Sequence, residues 1–296
     1  MKAFVSVISL VALVLFACTE KKTENATAKE MNTSVNDSKA FKSGYAAING
    51  LHMYYEIYGG GDPLVLIHGG GSTIQTSFEK IIPLLSKNRQ IIAVELQAHG
   101  RTSDRNAASS FEQDADDVAA LLKSLAITKA DFFGFSNGAT ITLQIAIRHP
   151  QIVNKIILGS PLFNRDGVSS GFWDFMKNAS LANMPQPLQD AYLKLNPGDT
   201  AGLQTMHDRD AKRMVDFKNI PEAKIQSITA PALIINGDKD VILSEHVLAL
   251  HKLLANSQLA IIPGTHGEYM GEVTTITHDF KESDLVIVPM IEKFLK

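Results

Sequence analysis

The segment Gly134-Phe135-Ser136-Asn137-Gly138 constrains this chain more than any other. It follows an apolar run at residues 130–135 and precedes a helix-like run at residues 139–149, so it predicts a sharp turn between a buried strand and a helix. Such a turn holds its serine in a strained backbone conformation and lifts the hydroxyl clear of the sheet edge. The two glycines are expected there because a Cβ at either position would collide with neighbouring backbone. Ser136 is therefore a candidate nucleophile.

Short apolar runs alternate with helix-like segments along most of the chain. After a first strand pair at 45–58, buried strands are predicted at 64–67, 90–94, 130–135, 155–158, 231–236 and 258–262. Helices are predicted between and after them, at 76–85, 111–125, 139–149, 244–254 and 285–295. This order predicts an α/β fold with a mostly parallel sheet covered by helices on both faces.

The alternation stops at residues 162–225, which contain no convincing strand and many large apolar side chains. An insertion of this size, placed directly after the C-terminal end of a strand, is usually functional. It predicts a helical cap over the site, with Phe172, Trp173 and Met176 as candidate substrate contacts. The alternative is a satellite cluster of ordinary core helices. The core is then expected at residues 43–161 and 226–296.

A catalytic serine needs a histidine to take its proton, an acid to orient that histidine, and N–H donors for the oxyanion. Each is found after a predicted strand. Asp240 and His266 follow two successive strands, and Asp238 and His278 are their rivals. The expected oxyanion donors are the backbone N–H groups of Asn137 and of one glycine in the 69–71 run, Gly70 first and Gly71 second.

With these motifs the chain resembles the α/β-hydrolase superfamily over residues 45–296. The resemblance is carried by His68-Gly69-Gly70-Gly71, Gly134 to Gly138, Gly237-Asp238-Lys239-Asp240 and Pro263 to His266. It implies the α/β-hydrolase fold, and it implies that the acid is the last residue of the Gly237–Asp240 turn, which favours Asp240 over Asp238. Glu95 stands where aspartate is commoner in the family, and a structural role is expected for it.

The substrate class follows from the cap, which is rich in Phe, Met and Leu and carries no obvious charged anchor. This composition favours an uncharged, fairly apolar carboxylic ester or lactone, cleaved through an acyl-enzyme. An amidase, a peptidase or a carbon–carbon hydrolase of the same fold remains open, as does a scaffold that only binds a ligand. The arrangement is also similar to macrolide-inactivating esterases, which open a large lactone.

No cofactor, metal or nucleic acid is expected. The 69–71 glycines lack the following Lys-Ser/Thr pair of a nucleotide loop, and Ile242 and Leu243 interrupt what begins as a calcium loop at residue 238. Residues 207–210 are interpreted as a solvated helix face rather than a metal site. The net charge of −3 and the absence of a basic stripe argue against a nucleic-acid partner. A monomer or dimer that acts on a small molecule is expected.

The N-terminus predicts export. Residues 1–17 have the short apolar core of a signal peptide, and they end just before Cys18, which is the single cysteine of the chain. This arrangement predicts a lipoprotein that is anchored in a bacterial cell envelope through lipidated Cys18. A plain secretory signal, giving a periplasmic or secreted protein, is the alternative. Residues 18–42 are polar and predict a disordered tether.

Overall fold

The computed structural model describes residues 31–34, 41–277 and 279–296. The proposed signal peptide, Cys18 and His278 lie outside the described residues. The strands are β1 (Met31–Ser34), β2 (Phe41–Ile48), β3 (Leu51–Tyr58), β4 (Pro63–Ile67), β5 (Gln90–Val94), β6 (Ala130–Phe135), β7 (Val153–Gly159), β8 (Ala232–Gly237) and β9 (Ser257–Ile262). The helices are α1 (Ile74–Phe78), α2 (Ile82–Leu85), α3 (Phe111–Ser124), α4 (Asn137–Arg148), α5 (Phe172–Lys177), α6 (Gln186–Leu195), α7 (Thr200–Val215), α8 (Glu222–Gln226), α9 (Ser244–Leu253) and α10 (Ile287–Leu295).

These strands form one sheet in the order β1-β2-β3-β5-β4-β6-β7-β8-β9. The pairs β1–β2, β2–β3 and β3–β5 are antiparallel, and every pair from β5–β4 to β8–β9 is parallel. The C-terminal ends of β4 to β9 therefore meet at one edge of the sheet, called the rim below. The expectation of a mostly parallel sheet with helices on both faces is confirmed.

The central strands β4 to β8 are mostly apolar because both faces of the sheet are covered there. Phe132 of β6 packs into the layer formed with α3, α4, α8 and α9, whereas Phe133 packs into the layer formed with α1, α2 and α10. Successive side chains of a strand point to opposite faces, so each buried strand supplies both layers at once.

Several predicted boundaries differ from the structure. The helix expected at 76–85 is two short helices, because Pro83 lacks an N–H and is tolerated only in the first turn of a new helix, α2. The predicted tether is wrong for Met31–Ser34, which pairs with β2, and β2 itself begins at Phe41.

The predicted cap at 162–225 is also too long. Phe217, Ile220 and Ile225 pack into the α3–α4–α9 layer of the core, and α8 lies against α4 and α9. The segment that covers the rim is therefore residues 162–216, and "the cap" means these residues below. Among the described helices, none combines the length and apolar character needed to cross a membrane.

Candidate active site

Ser136 occupies the turn from β6 into α4 with φ 54° and ψ −119°. A non-glycine residue at positive φ is strained, and the packing around the turn must hold it there. The backbone collisions expected at the flanking glycines are present: a Cβ on Gly134 would meet the carbonyl oxygen of Gly138, and a Cβ on Gly138 would meet that of Ile67. The glycines therefore let β4, β6 and α4 approach closely enough to form this turn.

The structure brings Ser136, His266 and Asp240 together at the rim. His266 Nε2 lies 2.9 Å from Ser136 Oγ, and His266 Nδ1 lies 2.7 Å from Asp240 Oδ1. An ionised carboxylate only accepts hydrogen bonds, so Nδ1 carries the ring proton and Nε2 accepts the Ser136 hydroxyl. This arrangement lets the serine hydroxyl pass its proton to the imidazole.

Asp240 is held from several sides. Its Oδ2 accepts the Ser160 hydroxyl at 2.6 Å, and its Oδ1 also accepts the Ile242 N–H at 2.9 Å. Burial by itself raises the pKa of Asp240, but the facing His266 and these hydrogen bonds outweigh burial and bring the pKa below its ordinary value. The carboxylate is thus ionised and ready to orient the imidazole.

The rival acid, Asp238, has a different position. It is exposed, and its Oδ1 accepts the Gly264 N–H at 2.8 Å, which fixes the loop that precedes His266. It does not contact the imidazole, so the geometry favours Asp240 over Asp238. The rival histidine, His278, lies outside the described residues.

Ser160 and Tyr269 were missed by the sequence reasoning. Ser160 follows β7 at the rim, has φ 51°, and lies 2.8 Å from the Tyr269 hydroxyl through its Oγ. Its position after a strand end is the same signal that identified Asp240 and His266. Ser160 therefore connects Asp240 of the triad with the buried Tyr269 hydroxyl.

Gly70 and Asn137 line the same cavity as Ser136, and their backbone N–H groups have no hydrogen-bond partner among the described residues. A Cβ on Gly70 would lie 2.5 Å from Asn137 Nδ2, so the glycine loop and the start of α4 are in close approach. Gly71 was the second candidate for this oxyanion donor, but its N–H donates to Asp210. Gly70 and Asn137 are the pair that remains available to an oxyanion.

The glycine loop rests on a buried histidine. His68 Nδ1 lies 2.7 Å from the Gly69 carbonyl, and its Nε2 accepts the Leu96 N–H at 3.1 Å. Burial, together with the nearby His99, lowers the pKa of His68 to about 3, so the ring is neutral. Its role is to hold the glycine loop in place. Glu95 is likewise structural, as expected: it accepts the Arg101 N–H at 2.6 Å and is fully buried.

A cavity of about 240 Å³ lies between the rim and the cap. Ser136, Gly70, Asn137 and Ser160 form its floor, and the cap forms its walls. The wall residues are mostly apolar and comprise Leu162, Phe172, Phe175, Met176, Ala179, Ser180, Asn183, Met184, Pro185, Leu188, His207, Asp210, Ala211 and Met214, with Ile242 from the core. Among these residues no Lys or Arg is present.

Two of the three candidate contacts in the cap lie at the cavity. Phe172 and Met176 line the cavity, but Trp173 does not. Its Nε1 donates to the Arg165 carbonyl at 2.8 Å, the Arg165 guanidinium lies 3.6 Å from its ring centre, and its ring stacks on Phe217. Trp173 therefore attaches the cap to the core.

The solvated face expected for residues 207–210 is wrong for Asp210, which is 8% exposed. The buried side of α7 is formed by Leu203, Met206, Asp210, Arg213 and Met214. These positions recur at three- and four-residue spacing, so helical periodicity applied through the charged residues would have placed Asp210 inside. Among the described residues, no group of three or more His, Cys, Asp or Glu is arranged to hold a metal.

Comparisons with known proteins agree with this architecture. A family model described as the alpha/beta hydrolase fold matches residues 62–198. The chain is 28% identical over 280 residues to 2-hydroxymuconate semialdehyde hydrolase of Pseudomonas sp. strain CF600, covering 86% of this chain and 95% of that protein. It is 27% identical over 277 residues to human serine hydrolase BPHL, covering 86% of this chain and 89% of that protein. The solved enol-lactonase of Burkholderia xenovorans LB400 has a TM-score of 0.66 at 19% identity, covering 85% of this chain and 99% of that one, a likeness of fold alone.

Proposed function

Because the chain belongs to the α/β-hydrolase superfamily, we propose that it hydrolyses uncharged, fairly apolar carboxylic esters or lactones through an acyl-enzyme on Ser136. One observation carries the proposal. The Ser136 hydroxyl bonds to His266 Nε2 at 2.9 Å, and it opens into an apolar cavity with two unpaired N–H groups beside it. Similarity to named hydrolases supports hydrolysis in general.

The residues divide the reaction between them. Ser136 Oγ attacks the carbonyl carbon while His266 Nε2 takes its proton, and Asp240 stabilises the imidazolium that forms. The Gly70 and Asn137 N–H groups donate to the oxygen that becomes negative. His266 then returns the proton to the leaving alcohol, and water repeats the sequence on the acyl-enzyme.

The charge of the cavity favours esters over the substrate named for the bacterial relative. A muconate semialdehyde carries a carboxylate, and a carboxylate in a buried site needs a cationic or strong hydrogen-bonding partner. No Lys or Arg lines the described cavity to pair with such a carboxylate. Carbon–carbon hydrolysis is the second candidate, and the similarity to that relative is what favours it.

The size of the cavity limits the acyl group. At about 240 Å³ it is smaller than the ~300–1,000 Å³ typical of sites that enclose drug-sized ligands. Short and medium acyl groups or small lactones fit this volume. A large lactone of the macrolide class enters only if α5 and α6 move away from the rim, so its hydrolysis tests whether the cap opens.

The test is a substrate panel with Ser136→Ala as the matched control. The purified protein is assayed with p-nitrophenyl acetate, butyrate and octanoate, small lactones, a macrolide lactone, an anilide and a 2-hydroxy-6-oxo-dienoate. We expect the highest kcat/KM for an ester or lactone, an acyl adduct on Ser136 by mass spectrometry, and loss of both in Ser136→Ala. A higher kcat/KM for the dienoate would replace this proposal with carbon–carbon hydrolysis. Equal ester rates in both proteins would leave only a ligand-binding scaffold.

We also propose that the chain is anchored in a bacterial envelope through Cys18, because this cysteine follows the apolar run of residues 3–17. Labelling of the expressed full chain with an alkyne fatty acid, compared with Cys18→Ala, tests this. Label that persists in Cys18→Ala, or no label in either protein, contradicts the anchor.

A further inference from the structure

A carboxylate from the cap reaches the loop that supplies one of the two oxyanion donors. Asp210 Oδ2 accepts a hydrogen bond from the Gly71 N–H and lies 2.9 Å from His99 Nε2. A Cβ on Gly70 would lie 3.0 Å from this same oxygen. Asp210 therefore bonds to the loop at Gly71 and lies close to Gly70, the oxyanion donor residue that precedes it.

The charge of Asp210 is balanced by its neighbours. Arg213 donates to Asp210 Oδ1 and to Asp114 of α3, and both ion pairs are buried. His99 Nδ1 lies 2.8 Å from the Gln97 carbonyl and its Nε2 faces Asp210, so both ring nitrogens meet atoms that only accept. His99 is therefore protonated. Two anions and two cations make the cluster neutral, which is how four ionised groups remain buried.

The pKa values agree with this assignment. Burial opposes charge on Asp210, but Arg213 and His99 outweigh it and hold the pKa of Asp210 well below its usual range. Burial lowers the pKa of His99, but Asp210 outweighs it and raises that pKa above the ordinary value. The carboxylate beside the oxyanion donors is thus compensated and does not repel a developing negative charge.

Among the described residues, three other hydrogen bonds hold the glycines at 69–71. The Gly69 carbonyl lies 2.7 Å from His68 Nδ1, the Gly69 N–H donates to Ser77 Oγ at 3.3 Å, and Ser72 Oγ donates to the Gly70 carbonyl at 3.3 Å. All three hydrogen bonds join neutral groups, whereas the bond from Gly71 to the Asp210 carboxylate is charge-assisted and therefore stronger. Consecutive glycines lose the most conformational freedom on being fixed, so the loop depends on its strongest attachment.

We infer that Asp210 is a positioning residue: by fixing Gly71, the cap restrains the preceding residue Gly70, whose N–H completes the oxyanion hole. The inference rests on the proposed function of Ser136, and it extends that function: the cap supports the transition state as well as enclosing the substrate. A clamp that only stabilises the fold is the alternative, because the same cluster joins α7 to α3.

Asp210→Asn is the variant of choice because it keeps the shape of the side chain but removes its charge and one acceptor oxygen. Its matched control is Arg209→Ala, which breaks the ion pair of the adjacent α7 residue with Asp104 at 2.8 Å and does not touch the glycine loop. Asp210→Ala is the second variant. Thermal unfolding of each full-length protein identifies variants that have lost the fold.

The readout is inhibition by a trifluoromethyl ketone, which adds to the serine and places an oxyanion where Gly70 and Asn137 donate. We expect Asp210→Asn to raise the Ki of the ketone and to lower the kcat for p-nitrophenyl butyrate by the same factor, about tenfold or more, with KM within about twofold of wild type. Arg209→Ala leaves Ki and kcat within about twofold of wild type.

Two results overturn the inference: a lowered Tm with Ki and kcat at wild-type values, or a raised KM with unchanged kcat. If both Asp210 variants fail to fold while Arg209→Ala folds, the cluster is a structural clamp and the inference is also wrong. Failure of the proposed function is separate, because it is seen in the wild-type protein as no ester or lactone hydrolysis, and the Ki of the ketone still reports on the oxyanion hole.

Discussion

The rim and the cap form opposite sides of one cavity, and they are built differently. At the rim, Asp240 and Ser160 are fixed by hydrogen bonds of 2.6 to 2.9 Å to one another and to buried backbone, and Ser160 is 1% exposed. In the cap, Phe175 lines the same cavity yet is 53% exposed. Chemistry that requires fixed distances lies on the sheet edge, whereas contacts that need only fill space lie on the cap. Asp210 is the exception: it belongs to the cap, but specific hydrogen bonds hold it in place as they hold the rim residues.

The largest effect is expected when the acid at the rim, Asp240, is replaced. Asp240→Asn keeps the shape of the side chain but favours the wrong tautomer of His266, so we expect kcat to fall by about 10⁴-fold. Asp238→Asn, two residues earlier on an exposed side chain, is the control and should retain kcat within about threefold. Steady-state kinetics with p-nitrophenyl butyrate measures both. A similar loss of kcat in the two variants would show that both carboxylates only stabilise the turn and that Asp240 has no special role in orienting His266.

The next test concerns the packing that makes the rim rigid. In Gly138→Ala the new Cβ would collide with the carbonyl oxygens of Ile67 and His68, so we expect the free energy of unfolding to fall by more than about 4 kcal/mol. Gly60→Ala is the control, since nothing lies within 4 Å of a Cβ there, and a change within about 1 kcal/mol is expected. Urea unfolding measures both values. A stable Gly138→Ala protein would mean that the turn is not tightly packed.

A smaller effect is expected when the triad loses a supporting bond. Ser160→Ala removes one hydrogen bond to the buried Asp240 carboxylate, so we expect about a tenfold lower kcat with KM unchanged. Ser180→Ala, which removes a cap serine from the same cavity, should leave kcat within about twofold of wild type. Unchanged kcat in Ser160→Ala would show that His266 and the Ile242 N–H hold Asp240 without help.

The smallest effect belongs to the apolar wall. Met176→Ala and Leu188→Ala enlarge the cavity without touching the triad, so we expect KM for p-nitrophenyl octanoate to rise about fivefold while kcat changes less than threefold. Neither value should change for p-nitrophenyl acetate, which is too short to reach the wall. Leu248→Ala, a 41% exposed leucine on α9, is the control for loss of an apolar side chain. A kcat loss with acetate would mean that the wall also positions the rim.

The sequence predicted much of the rim for a local reason. Ser136, Asp240 and His266 each follow a short apolar strand, and the C-terminal ends of parallel strands meet at one edge whatever lies between them. Strand identity and chain order were therefore sufficient to bring these side chains together. The same rule applied after β7 would have included Ser160.

The cap was predicted only in outline, because several packings are open to an apolar helix. Trp173 was interpreted as a substrate contact, but stacking between Arg165 and Phe217 draws it to the core. Asp210 was interpreted as solvated, but Arg213 of the same helix and His99, which is distant in the chain, face its carboxylate and make its burial favourable.

By itself, the sequence determined the α/β order and the reactive groups at the strand ends, since periodicity and turn residues act over a few neighbours. Only the tertiary structure decided which glycine N–H stays unpaired, which cap side chains line the cavity, and that a cap carboxylate attaches to the glycine loop. Those outcomes depend on where helices of the insertion settle on the sheet, and that position is set by long-range packing and by the pairing of buried charges.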